Sequence, residues 1–415
     1  MRTEEHVDLS FVRERFPALA REQGGREVVF ADAPGGTQMP RSVIDAIADY
    51  LANWNANLGG AFETSRRSDA VLAEAHAAAA AFVGATPQEM VIGQNTTTIA
   101  FHLSRSFAKT LQPGDEVVVT VLDHDANVTP WVRAAGDAGA TVRRVDVHTD
   151  DCTLDLDSLD AALTDRTRLV AFPVASNAVG TLTDVRRIAD LAHEAGALAW
   201  ADAVHYGPHG PIDVAQFGVD VLICSPYKYF GPHLGAAFAR RELLETWDAY
   251  KVRPAPDTLP DRWETGTLSH EALAGLTAAV DYVASLGDGD SLRGRVVAGM
   301  RAITVHEGGL TRLFLEGIAG IDGLTLYGIA DADRWNERTP TFAIRIDAMT
   351  PRELAEELAR RGIFVWDGNY YALSIMERLG LEESGGAARI GFCHYNTPNE
   401  VDRVVADLAD VAAKR

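Results

Sequence analysis

Residues 197–235, ALAWADAVHYGPHGPIDVAQFGVDVLICSPYKYFGPHLG, carry two short apolar runs, ALAWADA (197–203) and VDVLICS (219–225), with one connection between them. Outward from this stretch the same pattern repeats in EVVVTVL (116–122), TVRRVDV (141–147) and RLVAFPV (168–174), with helical periodicities between the runs. Alternation of this kind over residues 85–240 is the pattern of βαβ units, and it predicts an α/β domain with a mostly parallel central sheet. The large domain is placed at residues 1–285. From about residue 285 the order changes to a strand TFAIRID (341–347), a helix PRELAEELARR (351–361), a strand GIFVW (362–366), a strand ARIGFCH (388–394) and a final helix. That predicts a smaller α+β domain over 286–415, with the N-terminal segment packing on it. Thr350-Pro351-Arg352-Glu353 and Thr397-Pro398-Asn399-Glu400 both read as capping boxes, and GDGDSLRG (287–294) is the most linker-like stretch.

The chain has 415 residues, 47% of them apolar and 23% charged, so it can bury a sizeable core and lies away from the composition of disorder. No run reaches the roughly 18 apolar residues of a membrane helix. The opening MRTEEHVDLS has acids where a signal peptide has bases. The 59 acidic and 38 basic side chains leave a net charge of −21, which repels both nucleic acid and anionic membranes. Cys152, Cys224 and Cys393 are far apart in sequence, with no CxxC, so neither a disulfide framework nor a zinc site is indicated and a cytoplasmic location is expected.

Only four lysines occur, Lys109, Lys228, Lys251 and Lys414. Lys228 alone follows an apolar strand, where a primary amine is wanted more than a charge. Asp202 and Lys228 end consecutive predicted strands, the edge at which parallel sheets gather ligands. Amine and acid together are what pyridoxal phosphate (PLP) requires, one to condense with the aldehyde and one to keep the pyridine nitrogen protonated. A structural ion pair is the competing reading of these two residues alone. Asn95-Thr96-Thr97-Thr98 precedes a helix, where it serves as a cap or as a phosphate site. His124 follows a strand into the same crevice, as a loop residue or as a partner for a cofactor ring.

The segments ADAPGGTQ (31–38), LDHDANVTPW (122–131), ASNAVGT (175–181), ADAVH (201–205), SPYKYFGP (225–232), ETGT (264–267) and ARIGFCHYNT (388–397) resemble, in order and spacing, the class V aminotransferase-fold proteins, and within them the cysteine desulfurase-like group related to the SufS and NifS enzymes. The resemblance implies the fold type I architecture of PLP-dependent transferases. It also implies that Lys228 is the Schiff-base lysine, Asp202 faces the pyridine nitrogen and His124 stacks on the ring. By the same likeness Thr96, Thr97, Ser225 and Tyr227 hold the phosphate, His205 stands near it where relatives often carry glutamine, and Asn177 addresses the ring hydroxyl. Thr267 would reach the phosphate of a partner subunit, which implies a homodimer with shared sites. Arg389 would clamp the substrate carboxylate, with Tyr371 nearby. One departure stands out: desulfurases of this kind have a nucleophilic cysteine on the loop before that arginine, and DGNYYALSIMERLGLEESGGAAR (367–389) contains none.

The expected function is a PLP-dependent enzyme acting on an α-amino acid, a β-eliminating carbon–sulfur lyase that needs no loop persulfide. The alternatives are an aminotransferase or epimerase, and a catalytically silent member of the same fold. A dinucleotide oxidoreductase is disfavoured, because no GxGxxG follows a first strand. Trp366, Tyr370, Tyr371 and residues 55–69 are expected either to line the entrance or to serve packing.

Overall fold

The computed structural model describes residues 9–414; residues 1–8, most of the segment read for a signal peptide, and Arg415 lie outside it. Seven strands form the central sheet: β1 (Met90–Gly93), β2 (Glu116–Thr120), β3 (Thr141–Val145), β4 (Thr167–Pro173), β5 (Leu198–Asp202), β6 (Val221–Cys224) and β7 (Gly235–Ala239). Their order across the sheet is β1-β7-β6-β5-β4-β2-β3. β3, β2, β4, β5 and β6 run parallel, and β7 is antiparallel to both β6 and β1.

The strand sequences are nearly all apolar because both faces of the sheet are covered. Val117, Val119, Leu169, Ala171, Trp200, Val221 and Ile223 enter one core. Their alternating neighbours Val118, Val170, Phe172, Ala199, Ala201 and Leu222 enter the other. This is the two-residue period of a strand expressed as two cores instead of one. Full burial of each larger aliphatic or aromatic side chain is worth about 1.5–3 kcal/mol. Trp131 and Trp200 meet edge to face at 4.5 Å and anchor one of these cores.

A second sheet comprises β8 (Leu324–Tyr327), β9 (Thr341–Ile346), β10 (Trp366–Gly368) and β11 (Ala387–Gly391), ordered β8-β9-β11-β10 and antiparallel throughout. It builds a third core with Phe314, Phe342, Phe392, Leu354, Leu358 and Leu408. Both expected capping boxes are present, Thr350 with Glu353 and Thr397 with Glu400. GIFVW is not one strand. Ile363–Phe364 pairs in parallel with Val29–Phe30 of the N-terminal segment, and Trp366–Gly368 pairs with β11. GDGDSLRG joins two helices, His270–Ala284 and Leu292–Ile318, with the Ser291 side chain capping the second. That second helix supplies Val296, Met300 and Ile303 to a large-sheet core, and Leu310, Phe314 and Ile318 to the small-sheet core.

The N-terminal segment then continues along the small sheet, where Gly391 N–H donates to Ala31 O at 2.8 Å. Gly391 must be glycine here, since a Cβ would sit about 2.1 Å from the Pro34 ring. This close approach delivers Pro34 and Gly35 to the end of the large sheet. No helix among the described residues is long and apolar enough to cross a membrane.

Candidate active site

Four neighbouring strands release their chains on the same edge of the large sheet. Lys228 follows β6, Asp202 ends β5, Asn177 follows β4 and His124 follows β2. Because these strands are parallel, their carboxyl ends coincide and the four side chains converge on one cavity of about 980 Å³. Thr96, at the start of the helix Thr96–Ala108 that follows β1, reaches it as well. The opposite wall comes from the small sheet and its loops and includes Trp366, Asn369, Tyr370, Tyr371, Glu382 and Arg389. None of residues 55–69 lines this cavity.

Lys228 is 8% exposed, and its ammonium donates to the Pro34 carbonyl. Burial, reinforced by the charge of Arg389 and opposed by Asp202, brings its pKa down to about 7. The other three lysines differ in kind, each paired with an aspartate: Lys109 with Asp248 at 2.5 Å, Lys251 with Asp257 at 3.1 Å and Lys414 with Asp410 at 2.6 Å. Asp202 Oδ1 accepts from Val204 N–H at 2.8 Å, and burial pushes its carboxyl up to about 6. His124 Nδ1 accepts from Ala126 N–H at 3.0 Å. Burial and the charges of Lys228 and Arg389 lower this imidazole to about 4, so it is neutral near pH 7. Asn177 donates through Nδ2 to Tyr370 O at 3.0 Å, while its buried Oδ1 has no partner.

At the other end of the cavity, Asn95 caps the helix by accepting from Thr98 N–H at 2.8 Å. Thr96 Oγ1 lies 3.1 Å from Ser225 Oγ, and Thr97 is exposed to the cavity. Gly235 makes this arrangement possible, since a Cβ there would stand about 2.5 Å from Thr96 N. Two hydroxyls at a helix N-terminus, with free N–H groups, form an anion site. The Tyr227 ring lies 4.9 Å from Lys228 Nζ and stacks on His233. His205 is buried, with Nε2 3.2 Å from Thr339 Oγ1 and its ring against His209. Burial holds its imidazole well below the usual range. Two expected residues do not line the cavity: Ser225 is buried behind Thr96, and Thr267 is exposed, beside Gly266 in a left-handed turn.

Arg389, on β11, is buried and donates through Nη1 to Asn177 O at 2.7 Å, and its Nε has no partner. The Tyr370 ring lies 4.2 Å from its guanidinium carbon. Burial lowers even this cation to about 10. A buried guanidinium with unused donors is costly unless an anion completes it. The three cysteines are all buried, and none lines the cavity. Burial raises the Cys152 thiol to about 11, the Cys224 thiol to about 12 and the Cys393 thiol well above its ordinary value.

Sequence reasoning gave no role to Pro34, Asn369 or Glu382. The paired glycines of ADAPGGTQ were a signal of close approach for the first. Nothing local marks Asn369 and Glu382, which meet from either side of the short helix Leu373–Arg378.

A buried amine, a buried carboxyl beside it, an anion site at a helix start and an unpaired arginine fit PLP with an amino acid. The orphaned Asn177 oxygen adds an acceptor for the ring hydroxyl. Fold and site thus define a PLP-dependent enzyme of fold type I. The aminotransferase class-V family model matches residues 29–404, and the chain belongs to that family, in its cysteine desulfurase-like branch. Aminotransferase-like protein FGM3 of Gibberella zeae is 32% identical over 408 residues, covering 96% of each chain. The cysteine desulfurase of Dickeya dadantii is 31% identical over 420 residues, covering 97% of each. Among solved structures, the cysteine desulfurase CsdA (S-sulfonic acid) from Escherichia coli is similar at a TM-score of 0.83 and 25% identity, over 97% of this chain and 98% of that one. The apo cysteine desulfurase from Thermococcus onnurineus NA1 shares the fold at a TM-score of 0.88 and 23% identity, over 98% of each chain.

Proposed function

We propose that the enzyme is a carbon–sulfur lyase, which takes an α-amino acid bearing a sulfur substituent on its β-carbon and expels that substituent without a persulfide-bearing cysteine. The observation that carries this reading is a cavity with an amine, an acid and an unpaired arginine but no thiol, whose wall at residues 367–389 has Tyr370 and Tyr371 where a nucleophilic cysteine would be needed. When bound, PLP supplies an electron sink for the pair left at the α-carbon. Arg389 binds the substrate carboxylate through its unused donors. Lys228 would hold the cofactor, and its Nζ would take the α-proton, which its lowered pKa suits near neutrality. Asp202 would keep the pyridine nitrogen protonated, and neutral His124 would be the aromatic neighbour of the ring. Thr96, Thr97, Ser225 and Tyr227 hold the phosphate with His205 close by, and Asn177 takes the ring hydroxyl. The Cβ–S bond then breaks with its electron pair leaving on sulfur. The enamine that remains hydrolyses to pyruvate and ammonia.

A homodimer belongs to the same reading, with Thr267 serving the partner's phosphate. Its exposure outside its own cavity supports this role. The large domain at residues 1–285 carries the cofactor, and 286–415 carries the carboxylate clamp.

The test is to offer cysteine, its conjugates and other amino acids to the purified enzyme, and to assay pyruvate, ammonia and sulfide separately. Pyruvate with a released thiol is expected. Amino-group transfer or racemisation alone would support the aminotransferase or epimerase reading instead. Replacing Cys152, Cys224 and Cys393 together by alanine or serine is expected to leave turnover within a few-fold, with stability losses of about 1–3 kcal/mol at buried positions. A desulfurase cannot tolerate loss of its thiolate, so collapse of turnover with folding and PLP content intact would restore that activity.

A second expectation concerns pH. The neutral amine of Lys228 is the form that condenses with an aldehyde, and it grows as pH rises through about 7. Uptake of PLP by the cofactor-free protein is expected to speed up between about pH 6 and about pH 8 and then level off. A rate independent of pH across that window would show that this amine does not limit the step.

A further inference from the structure

Tyr370 and Tyr371 have φ of 56° and 58°, just after Gly368 at 111°. Left-handed backbone is strained for any residue with a bulky side chain, and two such tyrosines in succession persist only where their surroundings hold them. The holding contacts run in a line. Both Glu382 carboxylate oxygens accept from Asn369 Nδ2, at 3.0 and 3.2 Å. Asn369 Oδ1 accepts from Tyr371 N–H at 3.1 Å, and Tyr371 O accepts from Asp125 N–H at 2.6 Å. Tyr371 as a residue is 74% exposed, and its ring stacks on His124 with centroids 5.6 Å apart and planes at 21°. One step back, Tyr370 O accepts from Asn177 Nδ2 and its ring lies against Arg389. The strained pair therefore aims one ring at the carboxylate clamp and the other at the histidine over the cofactor site.

We infer that Glu382 is a positioning residue, whose carboxylate acts through Asn369 to hold the strained tyrosine pair, so that the Tyr371 ring walls the side of the cavity through which the β-substituent leaves. A charged acceptor bonded to an amide makes a stronger anchor than a neutral one. Glu382 itself lines the cavity, but its oxygens are turned to Asn369. The purpose given to the wall rests on the elimination reading above; the tether does not.

The test uses the holoenzyme and its Glu382→Ala, Glu382→Gln and Asn369→Ala variants. Chymotrypsin cuts after aromatic residues, and the pinned loop should resist it. Cleavage after Tyr370 or Tyr371, mapped by mass spectrometry, is expected to be about tenfold faster in both alanine variants, because local opening becomes easier. It should fall between wild type and the alanine variants in Glu382→Gln, whose amide oxygen still accepts from Asn369 but without the charge. In kinetics, Glu382→Ala is expected to lower kcat/KM by about tenfold, and adding it to Tyr371→Gly should cost nothing further, since the ring it serves is gone. Wild-type cleavage in both alanine variants would overturn the tether, as would effects of Glu382→Ala and Tyr371→Gly that multiply. Should Glu382→Ala misfold, Asn369→Ala cuts the same line at its other end and decides the matter alone. Should no amino acid yield pyruvate, the elimination reading fails while the cleavage result still judges the tether.

Discussion

Lys228→Ala is expected to give a folded protein that carries no covalent cofactor and turns over about 10⁴-fold more slowly, because it loses both the anchoring amine and the base that takes the α-proton. The measurement is borohydride reduction followed by peptide mapping. In the wild type the reduced pyridoxyl label should sit on Lys228 alone. Lys109, Lys251 and Lys414 lie outside the cavity and are committed to aspartates, so they offer no substitute. A label on one of them, or wild-type turnover by the alanine variant, would remove the basis of the assignment. Neighbouring packing should be little disturbed, since the amine's own partner is a backbone carbonyl of the N-terminal segment.

Asp202→Asn should keep much of its PLP yet lose about 10²–10³-fold in turnover, the scale on which one preorganised electrostatic contact at a reacting centre is felt. An amide cannot hold the pyridine nitrogen protonated. Burial raises this carboxyl to about 6, so in the cofactor's absence it gives up its proton late; a cationic ring nitrogen facing it would favour the charged form. Measuring PLP content and kcat on the same preparation separates the outcomes. Unchanged kcat would make Asp202 a structural residue at the end of β5, and loss of PLP would make it an anchor instead.

Lys228, Asp202 and His124 are legible in the sequence for a shared reason, whereas Asn177 is reached only through the family likeness. Each of the three ends an apolar run or follows one directly, and parallel strands bring such ends to one edge whatever the details of packing. Arg389 is legible only through the family likeness, since nothing about a strand arginine announces that its Nε will be buried without a partner. β7 escapes notice because GAAFA has poor strand propensity. It is a strand because Gly235 lets the helix start at Thr96 lie against it and because both its faces are covered. GIFVW looks continuous, yet Val365 separates residues that pair with the N-terminal segment from residues that pair with β11. Glu382 and Asn369 flank the short helix Leu373–Arg378, and their partnership is decided by tertiary path and left-handed backbone. Thr267 shows another boundary: the role proposed for it, on a neighbouring subunit, would leave no trace in the fold of one chain.

The 27-residue helix Leu292–Ile318 is a single rod of about 40 Å. One half is embedded in a large-sheet core, the other in the core of the small sheet. A fragment starting after it would expose the apolar faces of Phe342 and Phe392, which pack on Phe314, and a fragment ending before it would strip Val296, Met300 and Ile303 from the other core. Neither half of the chain should therefore survive proteolytic separation as a soluble piece. Heat or denaturant should melt both halves in one transition, with the wall bearing Arg389 and the floor bearing Lys228 lost together.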